Sequence, residues 1–522
     1  MPEKLLSQVV TPSEDSQSKI EEKIGIPYGD VELERKAVRR LDWSILPVMT
    51  MFYLLSFLDR ANIGEHFDLV PPTVGSLELF TTSGNARVAG LQRDLRLTDR
   101  EYQICVTVLY VPYICAELPS NLVLRRIGPQ RLMPTLLTAW GVVVTLQGTS
   151  GLVSSFAGLV VVRAVLGLIE GPMFPGIVLY LSGFYTRREL SLRIALFFSS
   201  ASLSGAFSGL LAAAIEKMDG IGNKPGWAWI FILEGLFTVL MGFIGFFLVP
   251  ATPRESKFLT YEQKELIMAR LERDRPSILP ADKFSVKEIF RSLTSPQVII
   301  LFVIFFMVGT QLYGLALFLP SIVNQLGFDR NRSQLLSVGP FAAGFFLTII
   351  SAIWSDRYQM RGIPAATISL LSVAGFSLFF AAREKYVAYG ALYLMVPGVY
   401  AGAPVFIAWM ANNSEPHYRR ATSIAIGFVA TNSGGILSTW RFPTKEGPRF
   451  TNTTIMNLVF AILAVVGAFL NMAYLHYKNQ SKQRPGYRER KLAKYGDEND
   501  PDASLRAWMD LGDKHPDYRY TL

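Results

Sequence analysis

The sequence predicts an all-α polytopic membrane protein with 12 transmembrane helices in two six-helix halves. Three observations carry that prediction. Half of the 522 residues are hydrophobic and only 18% are charged, where a soluble chain carries about 25% charge. Apolar runs of roughly 20 residues, the length that crosses about 30 Å of hydrocarbon as helix, recur along nearly the whole chain. The basic residues behind the net charge of +9 sit between those runs rather than in one patch. That distribution follows the positive-inside rule, so the charge signals a lipid bilayer and no nucleic acid.

In order, residues 1–43 form a charged N-terminal tail ending in ELERKAVRR, without a cleavable signal peptide. The first half, 44–250, holds apolar runs at about 44–63, 103–123, 132–150, 156–182, 192–214 and 227–249. A hydrophilic middle loop, 251–296, follows, with a helix-like stretch at TYEQKELIMARLERDR. The second half, 297–476, has runs at about 297–320, 334–354, 363–382, 387–410, 421–440 and 454–475. Residues 477–522 close the chain as a polar tail whose GDEND and proline-containing pieces argue against much order.

Lysine and arginine cluster in RRIGPQR (125–131), TRRELSLR (186–193), the middle loop, SDRYQMRG (355–362), HYRR (417–420) and the tail after Tyr477. These alternate connections lie on the side of both termini, which assigns them to the cytoplasm. The halves also repeat. FYTRRELSLRIALFFSSASLSGAF (184–207) resembles HYRRATSIAIGFVATNSGGI (417–436), and each follows a Gly/Pro segment, EGPMFPG (170–176) or AGAPVFIAW (401–409). Parallel duplication of this kind marks a transporter with its substrate site between the halves near the midplane, rather than a channel.

Charges inside apolar runs are the candidate site, because each costs roughly 2.5–3.5 kcal/mol at a bilayer centre on insertion scales. Arg163, Gly167 and Glu170 in RAVLGLIEGPMFPG share one helical face. The arginine suits either an anionic substrate or a carboxylate whose protonation it senses, and a packing pair is the plain alternative. Asp59, Arg60 and Asn62 make the end of the first span polar, as a cavity-facing group or as a cap. Glu117 and Glu234 are two further intramembrane carboxylates, either of which could carry the proton of a symporter or simply pack. Gln311, Tyr313, Trp409, Asn412 and Asn432 are second-half positions able to contact a solute. Gly205 and Gly209 have GxxxG spacing and are read as packing. The same holds for Cys105 and Cys115, ten residues apart in one apolar run, which form no disulfide framework. N-x-S/T patterns at Asn331 and Asn452 fall on the outer side, close to a span.

At WSDRYQMRG, where Asp356, Arg357 and Arg361 end the eighth span, a conformational latch and a plain basic loop are the two readings. The acidic group there would pair with an arginine or a helix end across the halves in one state and release in the other. Arg125 and Arg126 after the second span, with Arg419 and Arg420 before the eleventh, complete the set. No metal-spaced His/Cys set, P-loop or nucleophile triad occurs, which leaves enzymatic chemistry without a candidate and implies no cofactor.

Several motifs together resemble one family. They are LLSFLDRANIG (54–64), ELPSNLVLRRIGPQR (117–131), RAVLGLIEGPMFPG (163–176), WAWIFILEGL (227–236), WSDRYQMRG (354–362), NNSEPHYRRATSIAIG (412–427) and AWMDLGDKHPDYRYTL (507–522). Over about residues 35–522 the chain resembles the fungal allantoate-permease group of the major facilitator superfamily, also called the anion:cation symporter family. The resemblance implies the major facilitator fold and a monomer, most simply in the plasma membrane. It also implies proton-coupled uptake of a small organic anion, such as allantoate, nicotinate or another vitamin-like acid. A proton-driven exporter of a fungal metabolite or drug is the rival on the same fold. Two departures stand out. The acidic latch position of the superfamily after the second span is occupied by Leu124, so only Asp356 keeps that charge. Residues 65–84 interrupt a pattern in which NIG runs directly into NARVAGL. They are an outer loop disturbing the first span or, on our hypothesis, a retained intron, which a cDNA that keeps the segment would refute.

Overall fold

The structure, a computed structural model, describes residues 31–62, 91, 95–149, 155–216, 218–274, 286–328, 330–441, 450–495 and 501–522. The 65–84 insert lies outside these residues, as do the side chains of Arg60, Asn62, Arg125 and Asn331 and the surroundings of Gly205 and Gly209.

The first half is built from α1 (Val31–Asn62), α2 (Asp99–Ile127), α3 (Pro129–Thr149), α4 (Phe156–Glu170), α5 (Met173–Leu181), α6 (Leu190–Glu216) and α7 (Gly226–Leu248). Two helices of the middle loop follow, α8 (Tyr261–Asp274) and α9 (Val286–Leu293). The second half comprises α10 (Pro296–Gln325), α11 (Arg330–Tyr358), α12 (Gly362–Ala381), α13 (Lys385–Asn412), α14 (His417–Thr439) and α15 (Thr451–Lys482). The short α16 (Tyr487–Leu492) and α17 (Pro501–Leu511) close the chain.

Among the described residues, 10 segments are long and apolar enough to cross a membrane, the α4–α5 pair counting as one. Helices α6 and α14 take the fifth and eleventh places in the order. The first is apolar over Leu190–Ala201. The second is diluted by its basic start and by Thr431, Asn432 and Ser433. This is an all-helical multi-pass membrane protein.

Packing repeats in the two halves. In the first, α1 lies on α6, α2 on α4 and α3 on α7; in the second, α10 lies on α14, α11 on α13 and α12 on α15. Those are the same pairs shifted by six spans, as duplication requires. Across the halves, α2 packs on α14 and α6 on α11. Small residues permit the tight seams. A Cβ at Gly167 would collide with the Leu109 carbonyl on α2, and one at Gly235 with Thr145 on α3. Gly167 therefore serves close helix approach on the face that Arg163 and Glu170 share.

Local rules set the helix ends. Thr98 and Glu101 form a reciprocal capping box at the start of α2. The Gly171–Pro172 step divides the fourth span into α4 and α5, because proline cannot donate to the helical ladder and crowds the preceding turn. The C-terminal segment departs from the disorder that its composition suggests. Residues 501–522 are folded and docked on the end of the bundle at which α13 ends. Charged residues have found buried partners there, which a compositional argument does not foresee.

Candidate functional site

A cavity lies between the halves, with about 500 Å³ of empty space including its open side. Helices α1, α2, α5 and α6 supply its first-half wall through Tyr53, Phe57, Tyr113, Phe174 and Phe198. Helices α10, α13 and α14 supply the other wall, which is mixed: Phe305, Val308, Gly309, Leu312, Tyr313, Ala403, Ile407, Phe428, Thr431 and Asn432. No lysine or arginine is among these lining residues. The break at Gly171–Pro172 has a direct consequence, since it starts the short helix that carries Phe174 into the wall.

Tyr313 and Asn432, both named from sequence, meet here. The Tyr313 hydroxyl donates to Asn432 Oδ1 at 2.7 Å, and Asn432 Nδ2 donates to Glu117 Oε1 at 2.6 Å. Glu117 is fully buried on α2, so this chain of hydrogen bonds joins the first half to the cavity wall of the second. A buried carboxylate needs such donors, because desolvation without them costs several kcal/mol or more.

Asp59 and Glu170 lie in a second polar region on α1 and α4. Trp140 on α3 donates its indole N–H to Asp59 Oδ2 at 2.9 Å, and Ser56 donates to Glu170 Oε1 at 2.6 Å. Arg163 is buried on α4, at 3% exposure, and does not line the cavity. Glu234 is buried on α7. Trp140 and Ser56 were not singled out from the sequence. Ser56 had a signal, since it precedes Asp59 by three residues and shares its helical face. Trp140 had none, because only the fold brings α3 to α1.

The remaining candidates are elsewhere. Gln311 donates to the Asn457 carbonyl at 3.0 Å and faces a smaller space within the second half. Trp409 and Asn412 sit at the chain-end side of the bundle, where Trp409 donates to the Thr521 carbonyl at 2.8 Å and Asn412 to the Arg187 carbonyl at 2.9 Å.

That side of the bundle is closed by contacts between the halves. Asp356 Oδ2 accepts the backbone N–H of Leu192, at the start of α6, at 2.8 Å. Asp356 also pairs with the fully buried Arg361, whose other nitrogen donates to the Arg187 carbonyl at 2.7 Å. The carboxylate thus meets both a helix N-terminus, with its positive end of the dipole, and a guanidinium. Arg126 and Arg357 are exposed. Arg419 holds Glu288 on α9 and Asp513 of the tail, and Arg420 pairs with Glu415.

The tail completes the closure. Asn413 exchanges two hydrogen bonds with the Thr521 backbone, at 2.9 and 2.8 Å. The Tyr518 hydroxyl donates to the Asn412 carbonyl at 2.5 Å, and its ring lies 4.9 Å below the Arg187 guanidinium of the first half. Helix α8 is tied to the first half by Arg270 to Glu34 at 2.7 Å and to Glu189 at 2.5 Å.

The family model for the Major Facilitator Superfamily matches residues 73–439. An uncharacterized transporter of Schizosaccharomyces pombe is 33% identical over 85% of this chain and 84% of its own. A high-affinity nicotinic acid transporter of Saccharomyces cerevisiae is 29% identical over 95% of this chain and 86% of its own. Among solved structures, the proton:xylose symporter XylE aligns with a TM-score of 0.63 at 15% identity, over 83% of this chain and 95% of that one. The human organic anion transporter MFSD10 gives 0.55 at 14% identity, over 81% and 99%.

Proposed function

The chain belongs to the Major Facilitator Superfamily, and from that premise we propose that it takes up a small organic acid together with protons by alternating access. The observation that carries the reading is the cavity between the halves with Glu117 one side chain behind its wall, joined to it through Asn432 and Tyr313. A carboxylate so placed can exchange a proton and pass the change to a residue in contact with solute. Asp59, Glu170 and Arg163 supply further ionisable groups inside the same half.

The similarity to a nicotinic acid transporter supports a carboxylate substrate, and we assign the chain to the allantoate-permease group on the motifs quoted above. In this reading both termini are cytoplasmic, the membrane is the plasma membrane and the protein acts as a monomer. The closed end described above is then the cytoplasmic gate, and opening it requires the bonds of Asp356, Arg361 and Arg187 to release.

Expression in a transporter-deficient yeast tests the reading. Uptake of at least one carboxylate from a radiolabelled panel, with growth on that compound, is the expected result. Resistance to a toxic metabolite with no carboxylate uptake would instead establish an exporter.

A further inference from the structure

The last residues of the chain, Tyr518–Leu522, meet the two halves unequally. On the second half, the Asn413 side chain and the Trp409 indole hold the Thr521 backbone. Asn479 exchanges two hydrogen bonds with the Tyr520 backbone, both at 2.9 Å, and the Leu522 carbonyl accepts the Arg361 backbone N–H at 2.5 Å. The first half is reached at Arg187, in the turn between α5 and α6. Its guanidinium lies over the Tyr518 ring and donates to the Arg519 carbonyl at 3.4 Å. A segment fastened in this way travels with the second half when the halves part, and its hold on Arg187 is what has to break.

Arg187 is also where the halves bond to each other. Its carbonyl accepts from Arg361 at 2.7 Å and from Asn412 at 2.9 Å. The tail binds both of those donors, since Leu522 takes the Arg361 backbone N–H and the Tyr518 hydroxyl donates to the Asn412 carbonyl. On its own side Arg187 is fixed by Asp274 at the end of α8. That carboxylate accepts the Arg187 backbone N–H at 2.9 Å and its side chain at 3.3 Å. Each half thus brings a peripheral piece, the middle loop to the first and the tail to the second, and the two meet at Arg187.

The Tyr518 ring makes that meeting favourable. A cation from each half lies over it, Arg187 of the first at 4.9 Å and Lys482 on α15 of the second at 5.1 Å. Two positive charges brought this close oppose closure. The negative face of a ring offsets their repulsion, by an attraction that strengthens as water is excluded, and Tyr518 is buried. An aliphatic side chain in its place would fill the space and leave the two charges to push the halves apart.

We propose that Tyr518–Leu522 is a releasable strap on the gate. It rides on the second half, takes hold of Arg187 through the Tyr518 ring whenever this end closes, and lets go when the end opens. Its grip sets the balance between the state open to the tail side and the state open to the other side. This rests on that end being a gate of the transport cycle, and it is independent of which solute the cavity takes.

The test uses the full chain in sealed vesicles of either orientation, carrying Thr431→Cys in a background without Cys105 and Cys115. An impermeant maleimide is applied from one side at a time. Thr431 lines the cavity, so each labelling rate reports how often that side is open. Tyr518→Leu is expected to raise labelling from the tail side at least about five-fold, the scale of one lost ring–cation contact. Labelling from the other side is expected to fall, because the two states draw on one population. Tyr518→Phe keeps the ring and is expected to stay within about two-fold of the parent. Thr521→Pro, which loses the N–H that Asn413 accepts, is read like Tyr518→Leu should that variant not fold. Unchanged labelling from the tail side, an equal rise from both sides, or Tyr518→Phe as fast as Tyr518→Leu overturns the strap. Asp356→Ala run in parallel separates strap from gate. If it opens the tail side and Tyr518→Leu does not, the gate stands and the strap falls; if neither does, the gate assignment falls as well.

Discussion

Asn432 on α14 donates to Glu117 on α2 at 2.6 Å, a buried hydrogen bond that crosses between the two halves. Removing one partner of such a bond leaves the other desolvated, at about 1–3 kcal/mol. Asn432→Leu is therefore expected to lower the thermal midpoint by several degrees and to slow uptake. A double-mutant cycle with Glu117→Gln checks the link. Coupling above about 0.5 kcal/mol is expected for residues in contact, and additive losses would refute a direct interaction.

Asp356 and Arg361 form a pair in which the arginine is fully buried. Asp356→Ala strands that guanidinium and removes the acceptor for Leu192 N–H, a loss of about 3–5 kcal/mol by the behaviour of broken buried pairs. Maleimide labelling of a single cysteine at Thr431, in a background without Cys105 and Cys115, reports on the gate. Labelling from the side of the chain ends is expected to accelerate in Asp356→Ala, and an unchanged rate in folded protein would contradict the gate assignment.

The tail contributes a pH response. Burial under Trp508, whose ring stacks on His515 at 3.9 Å, pushes the imidazole down from 6.5 to about 4, against the opposing pull of Asp517. The docked tail thus binds this proton less readily than the undocked chain. Its contribution is complete above about 6.5 and is lost as pH falls toward 4. Hydrogen exchange over 501–522, corrected for intrinsic rates, is expected to quicken across that window, and His515→Phe to flatten the response. Equal acceleration in the variant would assign it to another group.

Arg163 is buried in the fourth span, where a guanidinium is costly unless it has work to do. Arg163→Ala is expected to abolish uptake at normal surface expression, with Arg163→Lys recovering a part of it because lysine keeps the charge but loses the planar fork. Uptake within two-fold of the parent in Arg163→Ala would leave the residue a packing role.

The fold class was legible because it follows from local quantities: run length, apolarity and the alternation of basic connections. The middle-loop helix at Tyr261–Asp274 was legible for the same reason, as an amphipathic, mixed-charge stretch. Polar groups at the site were partly legible, since a Glu117 or an Asn432 inside an apolar run stands out by its cost. What connects them was not, because Glu117 and Asn432 are 315 residues apart and only packing of α2 on α14 joins them. The aromatic wall was invisible for a related reason. Tyr53, Phe174 and Phe198 look like ordinary core residues until three helices place them around one space. The ordered tail was missed because Asp513 and Tyr518 read as solvated until Arg419 and Arg187 are brought beside them.

Proton-driven uptake through this cavity, as proposed above, is open to direct measurement. The most direct measurement is uptake of a radiolabelled carboxylate, chosen from the yeast panel, into proteoliposomes with and without an inward proton gradient. Accumulation above equilibrium is expected only with the gradient, and a protonophore is expected to abolish it. Glu117→Gln, tested in the same vesicles, is expected to shift the pH dependence. Accumulation indifferent to the gradient and to the protonophore would contradict proton coupling.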